Sequence, residues 1–119
     1  MPRTKLDNYL RAYRKRSGLS QDEVAYLLGS HSGTKVSRYE SSGRLPDLDT
    51  ALKFKAIFRL PVGILFAGRD QGADRAVRRR AARLHARLVA EASKEHSTRK
   101  LEALVAIRKS AGGAKTLVQ

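Results

Sequence analysis

The chain has 119 residues and no cysteine, so it holds one domain, with or without an appendage, and disulfides, thiolate zinc sites and thiol catalysis are excluded. Its 25 Lys and Arg residues outnumber its 11 Asp and Glu residues, and the resulting formal charge of +14 indicates a polyanionic partner. No apolar run reaches the roughly 18 residues of a membrane span, and the N-terminus lacks the apolar block of a secretory signal, so we expect a cytoplasmic protein.

Two helices are predicted in the first 30 residues. The first covers residues 6–16, where one apolar face is formed at three- and four-residue spacing by Leu6, Tyr9, Leu10 and Tyr13. The second begins after Ser20, whose hydroxyl can form a capping box with Glu23, and it ends at Gly29. Its spacing predicts that four side chains point inward: Val24, Ala25, Leu27 and Leu28.

A third helix is predicted from Gly33 to Glu40, with Ser32 as its cap and Val36 and Tyr39 as its anchors. Its leading end is small and polar and is followed by basic side chains, so it is poorly suited to burial. We infer that something outside the protein contacts this end.

Two further helices complete the first part of the chain. Asp47 is placed to cap a fourth helix from Leu48 to Phe58, whose predicted apolar face comprises Leu48, Ala51, Leu52, Phe54 and Ile57. Pro61 suits the first turn of a short fifth helix in residues 61–66, which should cover the core with Ile64, Leu65 and Phe66.

The composition changes between Gly68 and Gly72. Residues 1–68 carry 12 basic and 6 acidic side chains, whereas residues 69–119 carry 13 and 5, so the shorter part is the more strongly charged. Helical spacing continues there through Val77, Ala81, Leu84, Leu88 and Ala92, and, after a break at residues 96–98, through Leu101, Leu104 and Val105. We therefore predict a domain at 1–68 and a basic helical extension at 69–119 with a frayed end.

The role of residues 69–119 is open at this level. Their helices can form a dimer, their arginines can extend a contact with DNA phosphates, and the segment can bind a protein partner. The first two roles are compatible with each other. A membrane-surface helix is disfavoured because this part of the chain has no aromatic anchors.

The second and third helices, joined by a short glycine-containing turn, form a helix-turn-helix pattern, in which the second helix enters the major groove of DNA. Small residues at the start of that helix allow close approach, and Lys35 and Arg38 add positive charge. We accordingly predict that residues 32–40 are a recognition helix for double-stranded DNA.

A family resemblance rests on several motifs of this stretch: L-R-A-Y-R, G-L-S-Q-D-E-V-A, L-L-G, K-V-S-R-Y-E, G-R-L-P and L-P-V-G-I-L-F. Over about residues 5 to 66 the sequence resembles the lambda-repressor-like, or Xre-type, family of bacterial and phage transcription regulators. The resemblance implies an all-α fold with a compact five-helix DNA-binding domain, which usually acts as a dimer on inverted-repeat operators.

The resemblance also implies roles for single residues. Gln21 matches a glutamine that starts the second helix and bonds a phosphate, and Arg14 and Glu40 match a partly buried ion pair. The DNA-binding set then comprises Gln21, Ser32, Gly33, Thr34, Lys35, Ser37, Arg38 and, in a loop that meets the phosphate backbone, Arg44. The turn is one residue longer than the common pattern, because seven residues separate Gly29 from Val36.

The leading hypothesis is a non-enzymatic, nucleoid-associated repressor that binds an inverted repeat as a homodimer. No catalytic, cofactor-binding or metal-binding residues are predicted, since the chain lacks a Gly-x-Ser-x-Gly elbow and a phosphate-binding glycine loop. Two alternatives are an antitoxin, which represses its own operon and binds a toxin through residues 69–119, and a non-specific basic nucleic-acid binder.

Overall fold

The protein is helical throughout the part of the chain that the structure describes. This computed structural model describes residues 6–91 and 98–109, and these two ranges contain seven helices and no strand. The predicted all-α class is therefore confirmed for the described residues. The helices are α1 (Leu10–Ser17), α2 (Gln21–Leu28), α3 (Thr34–Glu40), α4 (Leu48–Phe58), α5 (Val62–Leu65), α6 (Ala67–Ala90) and α7 (Thr98–Lys109).

The predicted helix starts and stops of α2 and α4 are confirmed. Ser20 accepts a hydrogen bond from the Glu23 N–H, while the Glu23 carboxylate accepts one from the Ser20 N–H, which completes the capping box. Asp47 caps α4 in the same way by accepting from the Thr50 N–H at 2.9 Å. The ends of these helices are thus determined by short local sequence signals.

The core of the first unit, Met1–Arg69, is centred on Phe54 of α4, which is 1% exposed. The Phe54 ring meets Tyr39 of α3 edge to face at 5.9 Å between centroids, and it stacks with Phe58 at 6.3 Å and 7°. Phe66 also contacts it edge to face. Aromatic pairs of this kind contribute beyond their buried area, so Phe54 fixes α3 against α4 and the segment after α5.

Several predicted core positions are wrong. Helix α1 begins at Leu10, and five of the residues whose burial was predicted are instead exposed: Leu6 by 62%, Leu27 by 51%, Leu48 by 72%, Leu52 by 45% and Ile64 by 39%. In α2 and α4, positions at the margin of the apolar face lie beyond the reach of neighbouring helices, because helices this short bury only a narrow stripe.

Residues 6–9, which precede α1, are joined to the chain around α5 by backbone hydrogen bonds. The Tyr9 N–H donates to the Leu65 carbonyl at 2.7 Å, and the Gly68 N–H donates to the Leu6 carbonyl at 2.9 Å. A Cβ added at Gly68 would lie 2.3 Å from the Leu6 carbonyl oxygen, so the close approach of the two backbones requires glycine. This clasp closes the first unit.

The second unit, Asp70–Gln119, consists of most of α6 together with α7. Ala81 is buried and Leu84 and Leu88 are half-buried, and the Arg78 Nε donates to the Arg108 carbonyl at the end of α7. The predicted composition boundary at Gly68 to Gly72 lies inside the continuous helix α6. Ala92, His96, Ser97 and the predicted frayed end lie outside the described residues, and Thr98 begins α7.

Candidate nucleic-acid interface

Helix α2 ends in a left-handed turn that redirects the chain toward α3. Gly29 has φ of 86°, its N–H donates to the Tyr26 carbonyl at 3.0 Å, and the Ser30 N–H donates to the Ala25 carbonyl at 2.8 Å. These two bonds are those of a Schellman motif, in which glycine takes the positive φ without steric cost. Five residues, 29–33, then separate the two helices.

Gly33, the residue just before α3, lies close to the start of α2. Its N–H donates to the Asp22 Oδ1 at 2.8 Å, and an added Cβ would lie 2.7 Å from that oxygen and 2.9 Å from the Gln21 Cβ. The prediction that Gly33 faces outward toward DNA is therefore wrong, since Gly33 is buried. A bulkier residue would push the start of α3 away from α2.

Two N–H groups at the start of α3 have acceptors inside the protein. Asp22 accepts from Gly33, and the Ser32 hydroxyl accepts from the Thr34 N–H at 3.2 Å. Gly33 rather than Ser32 occupies the cap position. These two N–H groups therefore have acceptors within the protein, and the exposed polar side chains of α3 remain available for contacts with a ligand.

Helix α3 has one buried face and one exposed face. Val36 is fully buried and Tyr39 is 5% exposed, as the sequence predicts, so the helix is held from behind. The remaining side chains of its first five positions are all exposed, and they include no acidic group: Thr34, Lys35, Ser37 and Arg38. Such a face offers hydrogen-bond donors and positive charge to a ligand.

A partly buried ion pair joins α1 to the end of α3. The Arg14 Nε donates to the Glu40 Oε2 at 2.5 Å and the Arg14 Nη2 donates to the Glu40 Oε1 at 3.3 Å, with the two side chains 12% and 5% exposed. The Gln21 Nε2 donates to the same carboxylate at 3.1 Å, and Arg14 also reaches the Leu19 carbonyl. One carboxylate therefore fixes the relative positions of three helices.

Residues 8–62 match a family model described as a helix-turn-helix domain. The match spans the capped helix α2, the five-residue turn and the anchored helix α3. Within this stretch, α2, the turn and α3 have the arrangement of a helix-turn-helix motif. In such domains the second helix of the motif lies in the major groove of DNA. A comparison with curated proteins gives no match for this chain.

Two residues that position helices of the first unit have roles that the sequence does not predict. The Asn8 amide donates to the Tyr39 carbonyl at 2.9 Å while its Oδ1 accepts from the Leu10 N–H, and the Lys53 Nζ donates to the Leu28 carbonyl at 3.2 Å. An asparagine that accepts from the N–H two residues further on forms an Asx-turn, which is a recognisable local signal, whereas no local pattern indicates the contact of Lys53.

Arg44 lies on the exposed loop that follows α3. The loop turns through Ser42, which has φ of 68°, and the Gly43 N–H donates back to the Arg38 carbonyl at 2.9 Å. Further along the same loop, hydrogen bonds from Thr50 lower the pKa of Asp47, and the charges of Lys53 and Lys35 act in the same direction.

The structure thus presents Ser32, Thr34, Lys35, Ser37, Arg38 and Arg44 on the exposed surface, while it buries Gly33 and engages Gln21 with Glu40. Among residues 6–91 and 98–109, no three His, Asp or Glu side chains are grouped as a metal site. Within the same ranges, no helix combines the length and the apolarity that a bilayer span requires.

Proposed function

We propose that this chain is a sequence-specific transcriptional regulator of the lambda-repressor-like, Xre-type class. It acts in the cytoplasm, on the nucleoid, as a homodimeric repressor whose two α3 helices read an inverted repeat with half-sites about 10 bp apart. It performs no catalysis and needs no cofactor. The helix-turn-helix match at residues 8–62 supports the class of protein.

The single observation that carries this proposal is the arrangement of α3. Val36 and Tyr39 hold its back in the core, while Thr34 and Arg38 stand on its exposed front. A helix fixed in this way reads bases with little loss of side-chain and backbone freedom on binding. Arg38 can form two hydrogen bonds to a guanine edge, and Thr34 can contact a thymine methyl or a base edge.

The test begins with selection of a preferred duplex from a random pool by the full-length protein. Arg38→Ala and Thr34→Ala are then compared with wild type on the selected duplex and on a scrambled one. We expect Arg38→Ala to lose roughly 1–3 kcal/mol on the selected duplex, or about 5- to 150-fold in Kd. The loss on the scrambled duplex should be much smaller, because phosphate contacts carry no sequence preference.

Arg11→Ala provides the matched control, since Arg11 is an exposed arginine of α1 with no assigned DNA contact. It should reduce binding to both duplexes alike and only slightly. Equal losses on the two duplexes for Arg38→Ala would refute base reading by α3. Failure of selection to enrich any duplex would favour the non-specific binder, whose affinity depends on salt but not on sequence.

A further inference from the structure

A row of exposed arginines lies on α6, and the proposed function gives these side chains no role. We define the arginine row as Arg75, Arg79, Arg83 and Arg87, which are all exposed and recur every four residues. With a rise of 1.5 Å per residue, successive members stand about 6 Å apart and the row extends about 18 Å along the helix. Four-residue spacing places them on one side of α6.

The arginine row has no acidic partner among the described residues. Arg78, by contrast, is half-buried, pairs with Asp74 at 3.5 Å and donates to the Arg108 carbonyl. Like charges four residues apart destabilise a helix by roughly 0.2–0.5 kcal/mol per pair. The row contains three such pairs, and their repulsion destabilises α6. An anion that lies along the row would reduce this repulsion and stabilise the helix.

The surroundings of the arginine row fit a phosphate backbone better than a protein surface. Ala86 and Ala90, which lie on the same side of the helix, leave room for close approach, and the buried Ala81 lies on the opposite side. Residues 69–119 contain no aromatic side chain, whereas protein interfaces usually depend on buried aromatic anchors. Guanidinium groups bind phosphates through two parallel hydrogen bonds.

We propose that the arginine row is a second DNA-binding surface that contacts duplex phosphates without reading sequence. Duplex DNA carries one charge per about 1.7 Å of axis, so phosphates are denser than the arginines and each guanidinium can reach one. The inference rests on the proposed function for its choice of DNA as the ligand. It gives residues 69–119 the task of increasing affinity for any duplex, while α3 supplies the preference for one sequence.

The experiment measures the salt dependence of binding to a scrambled duplex by the full-length chain. The row variant is Arg79→Gln/Arg83→Gln/Arg87→Gln. The control, Arg11→Gln/Lys15→Gln/Lys55→Gln, removes an equal number of positive charges from exposed positions of α1 and α4. The slope of log K against log salt is negative, and each lost phosphate contact reduces its magnitude by about 0.9. The magnitude should therefore be smaller by about 2–3 in the row variant than in the wild type. The control should lose less than one.

A further variant, in which the same three arginines become lysines, retains the charges and should keep most of the wild-type slope. It separates loss of charge from a folding defect, which circular dichroism of all variants also monitors. If the row variant and the control change the slope equally, the proposal is overturned. A different result with polyglutamate would also overturn it. If polyglutamate binds the wild type but not the row variant, and the two proteins have the same slope for DNA, the arginine row binds an acidic protein instead of DNA.

The proposed function and this inference fail in different ways. A chain that binds selected and scrambled duplexes equally would refute sequence-specific regulation, yet the slope comparison would still decide whether the arginine row binds phosphates. Conversely, an unchanged slope in the row variant would refute the second surface and leave the preference for the selected duplex intact.

Discussion

Replacing Glu40 by alanine should destabilise the first unit by roughly 3–5 kcal/mol, the range measured when one member of a buried ion pair is removed. The carboxylate accepts three side-chain hydrogen bonds, two from Arg14 and one from Gln21. Without the Glu40 carboxylate, the Arg14 side chain, which is only 12% exposed, keeps one acceptor among the described residues, the Leu19 carbonyl. The unpaired charge is the main cost.

A loss of this size is large for a domain whose total stability is about 5–15 kcal/mol. For a domain of this length the midpoint of thermal unfolding should fall by at least about 12 °C, since each kcal/mol shifts it by about 4–8 °C. Urea unfolding of the full-length chain, followed by circular dichroism at 222 nm as a helix signal, measures the change directly. Arg11→Met on the exposed side of α1 is the control and should be nearly neutral.

A double-mutant cycle separates the pair from its surroundings. Arg14→Met removes the charge but keeps an apolar stem, so Arg14→Met combined with Glu40→Ala should cost clearly less than the sum of the single changes. If Glu40→Ala costs less than about 1 kcal/mol, the pair behaves like a solvated surface ion pair. The three-helix connection through Glu40 would then be refuted.

Three further predictions concern local geometry. Gly33→Ala should lower both the unfolding midpoint and the affinity for the selected duplex, because its Cβ would lie 2.7 Å from Asp22; unchanged values would contradict the close approach. Ser20→Ala should cost about 0.5–2 kcal/mol in urea unfolding, and a neutral result would mean that the capping box is unimportant. Hydrogen bonds from Thr50 lower the pKa of Asp47 below 3.8, so its charge stabilises the fold above that pH and this contribution is lost as the pH falls through the lowered pKa. The stability difference between wild type and Asp47→Asn should therefore shrink in acid, and a pH-independent difference would refute this.

The sequence predicted those features that depend on a few neighbouring residues. Ser20, Glu23 and Gly29 define α2 because capping and left-handed turns use local hydrogen bonds. Val36 and Tyr39 were predicted as anchors because three-residue spacing places them on one face of α3, and both are buried. The same spacing predicts the exposed polar face of α3.

The wrong predictions concern residues whose burial depends on tertiary contacts. Leu48 and Leu52 have the spacing of a core face, yet no neighbouring helix covers them, and their exposure depends on how α4 is rotated. Gly33 was assigned to the DNA-facing side because small residues permit close approach, but the surface it approaches is α2. The spacing of residues in the sequence does not show whether a small residue lies against DNA or against a neighbouring helix.

The clasp between Leu6 and Gly68 has a practical consequence for work with fragments. The family match covers residues 8–62, but the hydrogen bonds that close the first unit come from Leu6 and Gly68, outside both ends of that match. A fragment cut at residues 8 and 62 would lack Leu65, Phe66 and the backbone pairing that holds the entry to α1. An expression clone for the isolated domain should therefore start before Leu6 and stop after Gly68, and any affinity tag belongs beyond those points.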